Sequence, residues 1–352
     1  MKRCIIPIIF LVLNIFKPAI SGQYSENLAL KDRYIRGMFY NVENLFDTED
    51  DSLTNDEEFL PNQGKYWNYS RYQVKLHQIS SVIVAIGGWN PPELIGLCEI
   101  ENRKVLDDLC EKSALSNIGY NIIHKESGDR RGIEVALLYR KKYFEPIVYE
   151  AINVIFPFSP SSNTRDILYV CGKTNNQDTL HIFINHWPSR WGGQLDSERN
   201  RMEVASILRQ RVDSIFNVLP QAKIIIMGDL NDYPDNKSLI DNLKAKRAFD
   251  NIVSNQLYNL SANIADKYDI GSHKHEGVWG ILDQIIVSGS LLNTKKGLSA
   301  KKENAYIFNA GFLLTDDENF TGKTSLRTYN GYKYIGGYSD HLPVFIDLDD
   351  LK

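Results

Sequence analysis

Cysteine is scarce in this chain and badly placed for cross-linking. There are four in 352 residues, at positions 4, 98, 110 and 171. Cys4 falls in a segment expected to be removed, and the three left over are an odd set that does not make a disulfide framework. Cys98, within the apolar run Leu94 to Ile100, reads as a small core residue. Cys4 precedes an apolar run instead of closing it, which is not where a lipid-anchoring cysteine stands. Long apolar runs are also missing. Beyond the N-terminus nothing approaches the ~18 unbroken apolar residues that a bilayer span needs. No excess of basic charge is present, since the formal net charge is −4. That weighs against a broad basic grip on nucleic acid. Internal repeats are absent as well. At 43% the apolar fraction is ample for a sizeable core, and the length suits one large domain or two ordinary ones.

The N-terminus does carry a signal. Lys2 and Arg3 precede the short apolar run Cys4 to Phe16, and Ala19-Ile20-Ser21-Gly22 follow. Charged, apolar and small-residue parts in this order read as a secretory signal with cleavage near Ser21 or Gly22, an uncleaved anchor being the alternative. The expectation is a signal at 1–22, one domain at 23–352, and a secreted or periplasmic protein. Removing Lys2, Arg3 and Lys17 subtracts three positive charges from −4 and leaves −7.

Ile224-Ile225-Ile226-Met227-Gly228-Asp229-Leu230-Asn231-Asp232 is the most informative stretch. Its β-branched run predicts a fully buried strand, and Gly228 permits a close approach of backbone or ligand at the exit. Asp229 and Asn231, two apart, can face one side. A carboxylate there can hold a hard cation or orient a water, while the amide can donate to a phosphoryl oxygen without adding repulsive charge. The other reading is a strand followed by an Asx turn. An EF-hand is excluded, because Pro234 stands where its loop requires Gly.

The same design recurs along the chain. Tyr34 to Tyr40 predicts a strand running into Asn41-Val42-Glu43-Asn44, and Asn41 could equally be a cap. Leu94 to Ile100 predicts a second strand, ending at Glu99 and Glu101. A carboxylate buried there is costly unless a metal or a base answers it. Tyr72 to Ile86 has helical periodicity, stopped by Gly87-Gly88 and Pro91-Pro92. The acidic segment Asp47 to Glu58 reads as a solvated loop or, alternatively, a calcium site. Asp129-Arg130-Arg131-Gly132 is hairpin-like, and its arginines can meet phosphate or simply lie in solvent. Leu180 to Ile184 leads into His186, Trp187, Arg190 and Trp191. There an imidazole can serve a leaving oxygen, Arg190 can bind substrate, and the tryptophans offer stacking faces. Ser197 to Val218 is an amphipathic helix and Ser238 to Leu243 starts another. Trp279 to Ser288 is a strand with Asp283 near its start. Asp340 and His341 can reach one site together only from the loop before the last strand, which Pro343 opens. Alternating short strands and helices indicate one α/β or α+β domain.

Six motifs, YNVENLFD, LCEIEN, NHW, GDLND, LDQI and SDH, occur in an order that resembles the endonuclease/exonuclease/phosphatase superfamily, the DNase I-like metal phosphoesterases. FYNVENLFD with CEIEN is similar to its extracellular nuclease branch. The resemblance covers nearly all of 23–352 and implies a four-layered α/β/β/α sandwich with a cleft at one end. It implies that Asn41 and Glu99 hold a divalent cation, with Glu43 and Asp340 nearby, and that Asp229 orients or deprotonates the attacking water. Asn231 would then bind the phosphoryl group, Asp283 would fix the tautomer of His341, and His186 would stand near the leaving group. An oxygen-rich ligand set favours Mg²⁺ or Mn²⁺. Glu43 stands where many relatives have Asp or a neutral residue, and the Trp–Arg cluster after His186 is not general to the superfamily, so it would tune the substrate. The expectation is a secreted phosphodiesterase cleaving nucleic acid. The alternatives are a hydrolase of sugar, inositol or lipid phosphates, and a non-catalytic binding module.

Overall fold

A computed structural model of the chain describes residues 34–160, 162–190, 192–267 and 270–352; the expected signal segment lies outside them. In chain order the elements are β1 (Ile35–Leu45), α1 (Tyr69–Gly87), β2 (Leu94–Ile100), α2 (Arg103–Glu111), β3 (Tyr120–His124), β4 (Glu134–Arg140), β5 (Phe144–Ile152), β6 (Ile167–Thr174) and β7 (Thr179–His186). Then come α3 (Gln194–Val218), β8 (Lys223–Asp229), β9 (Ala245–Lys246), β10 (Leu257–Asn259), α4 (Ser261–Lys267), β11 (His273–His275), β12 (Val278–Gly280), β13 (Asp283–Ser288) and α5 (Gly289–Asn293). The chain closes with β14 (Gly297–Ser299), β15 (Ala305–Ile307), β16 (Leu314–Asp316), β17 (Lys323–Ser325), β18 (Tyr329–Asn330), β19 (Lys333–Tyr334) and β20 (Val344–Leu351).

Two sheets carry the site. One runs β14-β20-β1-β2-β4-β3 with β15 also on β20, and the other runs β5-β6-β7-β8-β13-β10-β9. Alternation along a strand decides what lies between them. In β8, Ile225 and Met227 enter the core that β1, β2 and β20 also line, while Ile224 and Ile226 turn to the opposite side, against Val204, Leu208 and Val212 of α3. Apolar residues on both faces are what a strand buried between two layers requires. On the far side of the first sheet, Leu76, Ile79 and Ile83 of α1 and Leu106 and Leu109 of α2 join its core. The result is helix, sheet, sheet, helix, the α/β/β/α sandwich.

The caps are written in side chains. Asn68 accepts from the Arg71 N–H to start α1, and Asn102, the last residue of LCEIEN, accepts from Val105 N–H to start α2. An Asn at this position satisfies an amide that the helix leaves unpaired. Two sequence expectations need correction. Trp279 to Ser288 is not one strand: Trp279 and Gly280 belong to the β11–β12 hairpin, and the sheet strand begins at Asp283. The predicted helix from Ser238 is a short helical turn, Ser238–Asn242. Among the described residues no helix is long and apolar enough to cross a membrane.

Candidate active site

The polar side chains stand where strands end. β8 is flanked by β7 in parallel and β13 in antiparallel register, so Asp229 lies across from His186 on one side and Asp283 on the other. In the other sheet Asn41 pairs with Cys98, beside Glu99. Both strands are irregular at this point. The β1–β2 register shifts between Asn41 and Leu45, and the β2–β4 register shifts between Cys98 and Ile100. A bulge re-aims the residue that it leaves unpaired. Glu43, Asn44, Glu99 and Asn231 all have positive φ, at 51°, 60°, 61° and 50°. Such backbone is costly for residues other than glycine, and its gathering at one place marks a functional site.

Asp229 is the centre. Its Oδ2 accepts from Asn41 Nδ2 at 3.1 Å and lies 3.8 Å from both His186 Nε2 and His341 Nε2. Its Oδ1 accepts from the Asn231 N–H at 3.0 Å, an Asx turn and an active-site edge at once. Glu99 points its Oε1 to within 3.8 Å of His186 Nε2 and 3.5 Å of Asn41 Nδ2, while Oε2 accepts from the Asn44 N–H at 2.9 Å. His341 Nδ1 meets Asp283 Oδ2 at 2.7 Å. Asn41, Glu99, His186, Asp229, Asp283 and His341 are thus brought together. Asn231 Nδ2 bonds Trp187 O at 3.0 Å, and an amide nitrogen has a second hydrogen to offer.

Burial sets the proton affinities. It pushes Asp229 up to about 7, with Asp283 adding to the rise and His341 opposing it. At His341 burial disfavours the imidazolium, but Asp283, Asp229 and Asp340 together outweigh it and hold this histidine well above its ordinary value. Burial, the Arg165 and Arg131 guanidiniums and His341 hold His186 well below, so it is neutral. The site therefore pairs a charged imidazole with a neutral one around a poised carboxylate, a division of labour between titrating groups that acid–base chemistry uses.

A divalent cation fits this donor set. Asp229 is buried and Glu99 partly so, they meet only amides, backbone N–H groups and imidazoles, and the affinity of Asp229 for a proton, raised chiefly by burial, shows a charge that a cation would stabilise. Glu99 Oε1 has only long contacts, 3.5 Å to Asn41 Nδ2 and 3.8 Å to His186 Nε2. Asn41 accepts the Glu43 N–H at Oδ1, 3.0 Å away, so its amide oxygen would have to turn toward an ion. Asp340 stands to one side, with Oδ2 accepting from Arg327 at 2.9 Å.

Three expected site residues take other places. Glu43 is a correction: its carboxylate receives the Thr328 N–H at 2.6 Å and lies 3.4 Å from both the Tyr329 N–H and Arg327 Nε, so it anchors the 327–329 loop instead of facing an ion. Trp187 is fully buried, its Nε1 donating to Asn185 at 3.1 Å, and no ring face is left for stacking. Arg190 is a further correction. Its guanidinium bonds Asn231 O at 2.8 Å, Asp232 at 3.1 Å and Asn236 at 2.7 Å, and lies over Tyr233. It clamps the loop that carries Asn231. Trp191 lies outside the described residues. Arg130 and Arg131 are exposed on their turn, and Arg131 is near enough to act on His186.

Several positioning residues escaped sequence reasoning. Arg165 bonds Asp129 at 3.1 Å and Trp187 O at 2.7 Å, tying the arginine turn to the end of β7. Ser339 Oγ donates to Asn41 O at 2.7 Å, and Ser272 Oγ accepts from the Asp283 N–H at 3.0 Å. Nothing near Arg165 or Ser272 in the sequence singles it out, whereas Ser339 opens the SDH motif. Lys75 did carry a signal, a lone charge in the apolar stripe of α1. It is buried, and its Nζ bonds Tyr338 O at 2.7 Å beneath the Asp340–His341 loop.

Comparison with known proteins agrees with this fold. Residues 37–350 match the model of the Endonuclease/Exonuclease/phosphatase family. None of the curated proteins matches the chain. Among solved structures, the human Nocturnin catalytic domain with bound sulfate is similar at TM-score 0.53 and 16% identity, over 90% of this chain and 94% of that one. D. rerio TDP2 complexed with single-strand DNA product gives 0.54 and 12%, over 90% and 98%. An endonuclease/exonuclease/phosphatase family protein from Bacteroides thetaiotaomicron gives 0.51 and 15%, over 90% and 98%.

Proposed function

Because the chain belongs to the endonuclease/exonuclease/phosphatase family, whose members are metal-dependent phosphoester hydrolases, we propose that it is an exported phosphodiesterase that cleaves nucleic acid with Mg²⁺ or Mn²⁺. One observation carries the reading. Asp229 Oδ2 is ringed by the Asn41 amide at 3.1 Å and two imidazole nitrogens at 3.8 Å, a base beside donors of the kind that a phosphoryl group and its attacking water require. With its affinity for a proton raised to about 7, Asp229 can take a proton from water near neutral pH. The charged His341, held by Asp283, and the remaining N–H of Asn231 face the phosphoryl oxygens. The neutral His186 can donate a hydrogen bond to the leaving oxygen but is not a source of protons. Glu99, with Asn41, would hold the cation, which supplies charge to offset that developing on the phosphoryl oxygens.

Export is supported by the residues 2–22, and a nucleic acid by the DNA product bound to D. rerio TDP2 and by exposed Arg131 near His186. The acidic balance of the chain favours a second reading, a small sugar, inositol or lipid phosphate. Salt separates them, since a polyanion is released steeply as ionic strength rises and a small ester is not. The test is hydrolysis of plasmid DNA, RNA, bis-nitrophenyl phosphate and phosphoinositides by the purified protein with Mg²⁺. Cleavage that survives exhaustive chelation would refute the metal dependence, and full turnover by Asp229→Asn would refute the site.

A further inference from the structure

One histidine at the edge of this site has no part in the hydrolytic reading. His273, at the start of β11, forms an isolated antiparallel bridge with His341, reinforced by the Leu342 N–H donating to Ser272 O at 2.6 Å. The two imidazole rings lie 4.6 Å apart, tilted by 38°. Asp340 is the third member: His273, Asp340 and His341 each present a ligand atom, and these atoms all lie within 4.8 Å of one another. His273 and Asp340 are partly exposed, so an ion can reach them from solvent. Arg327 occupies one Asp340 oxygen, and a carboxylate has two.

The chemistry differs from that of the Glu99 side. There the donors are oxygens, which suit Mg²⁺; here two imidazoles join one carboxylate, a set that takes Zn²⁺ and its first-row neighbours. His341 is oriented for the task, because Asp283 occupies Nδ1 and leaves Nε2 as the nitrogen free to ligate, as carboxylates behind metal-bound histidines do. We propose that His273, Asp340 and His341 form a second, nitrogen-rich divalent-cation site that takes Zn²⁺ in preference to Mg²⁺. An ion there engages His341 Nε2, the nitrogen that faces Asp229. That consequence, inhibition of Mg²⁺-supported hydrolysis, rests on the reading given under Proposed function; the binding itself does not.

Binding is therefore tested first. The chelator-treated full-length protein is titrated with Co²⁺ in excess Mg²⁺ and followed by visible absorption, with Zn²⁺ as competitor. The wild type is expected to bind one equivalent of Co²⁺, displaced by Zn²⁺. His273→Phe, which keeps a ring against His341, is expected to bind at least about tenfold more weakly, and His273→Gln likewise, with thermal melts confirming that both fold. Glu99→Gln is expected to keep the cobalt signal while losing activation by Mg²⁺. No cobalt binding in the wild type, or undiminished binding in both His273 variants, overturns the site even if the enzyme is active. An inactive wild type that still binds Co²⁺ through His273 leaves the site standing and overturns the hydrolase reading alone.

Discussion

Glu43 and Glu99 show what one residue's backbone decides. Both are acids at the end of a buried strand, and both have positive φ. Glu99 is turned toward Asn41 and His186, whereas Glu43 is turned toward the Thr328 and Tyr329 amides. Their neutral variants should therefore part company. Glu99→Gln is expected to raise the Mg²⁺ concentration needed for half-maximal hydrolysis by at least about tenfold and to fold normally. Glu43→Gln is expected to leave that concentration unchanged and to lose about 1–3 kcal/mol in denaturant unfolding, the cost of weakening buried charge-assisted bonds. A metal titration and a urea titration on each variant decide it, and a shifted Mg²⁺ requirement in Glu43→Gln would return that residue to the ligand set. Asp229→Asn removes the base but keeps the shape. Turnover of bis-nitrophenyl phosphate should fall by roughly 10²–10⁴-fold without loss of melting temperature, because the buried charge was unfavourable to the fold.

At the scale of elements, Gly228 is the close joint between β7 and β8. A Cβ there would collide with Asn185 O and lie 2.6 Å from Asn185 Cβ, so only glycine lets β7 and β8 close up at the level of His186 and Asp229. Gly228→Ala is expected to cost about 1–3 kcal/mol and to lower turnover by displacing both side chains. Unfolding and kinetics on the same preparation check it; an active variant of normal stability would mean that the strands can part freely. This joint was legible because a glycine that ends a β-branched run marks a place where another backbone or a ligand comes close. Strands were legible from composition too, their apolar runs being bounded by polar ends. The bulges were not. Nothing in LCEIEN says that Glu99 is the unpaired residue, since the register shift arises from pairing with a strand whose partner residue, Glu134, is far along the chain. Trp187 and Arg190 misled because an aromatic and a cation after a histidine look like a rim. Their engagement depends on Asn185, Asp232 and Asn236, partners that only the fold assembles. His273 was invisible for a like reason: its contact with His341 spans a hairpin that the periodicity of Trp279 to Ser288 conceals.

Across the whole molecule, buried acids should govern stability between pH 6.5 and 8. Burial pushes Asp229 up to about 7 and both Glu101 and Glu134 up to about 8. In the unfolded chain these carboxyls are ionised throughout that window, so the folded state binds more protons and stability falls as pH rises. His341, held high by its acids against the cost of burial, acts in the same direction. The histidines that burial holds low, His124, His181 and His273 at about 4 and His186 well below its ordinary value, are neutral in the folded state but half charged in the unfolded chain at pH 6.5, so they oppose the trend at the lower end of the window and fade toward pH 8. Lys75, brought down to about 8, opposes the trend in the upper part of the window and above it. Each carboxyl can contribute up to about 1.4 kcal/mol per pH unit, so the chelator-treated protein is expected to melt several degrees lower at pH 8 than at 6.5. A divalent ion beside Asp229 and Glu99 binds the ionised form, so the stabilisation that Mg²⁺ gives should be larger at pH 8 than at 6.5. Glu99→Gln should erase that difference while keeping the downward slope, because Glu101 and Glu134 are untouched. Melting curves with and without Mg²⁺ at both pH values test each part: a rising slope without metal contradicts the burial of these acids, and a Mg²⁺ effect indifferent to Glu99 places the ion somewhere else.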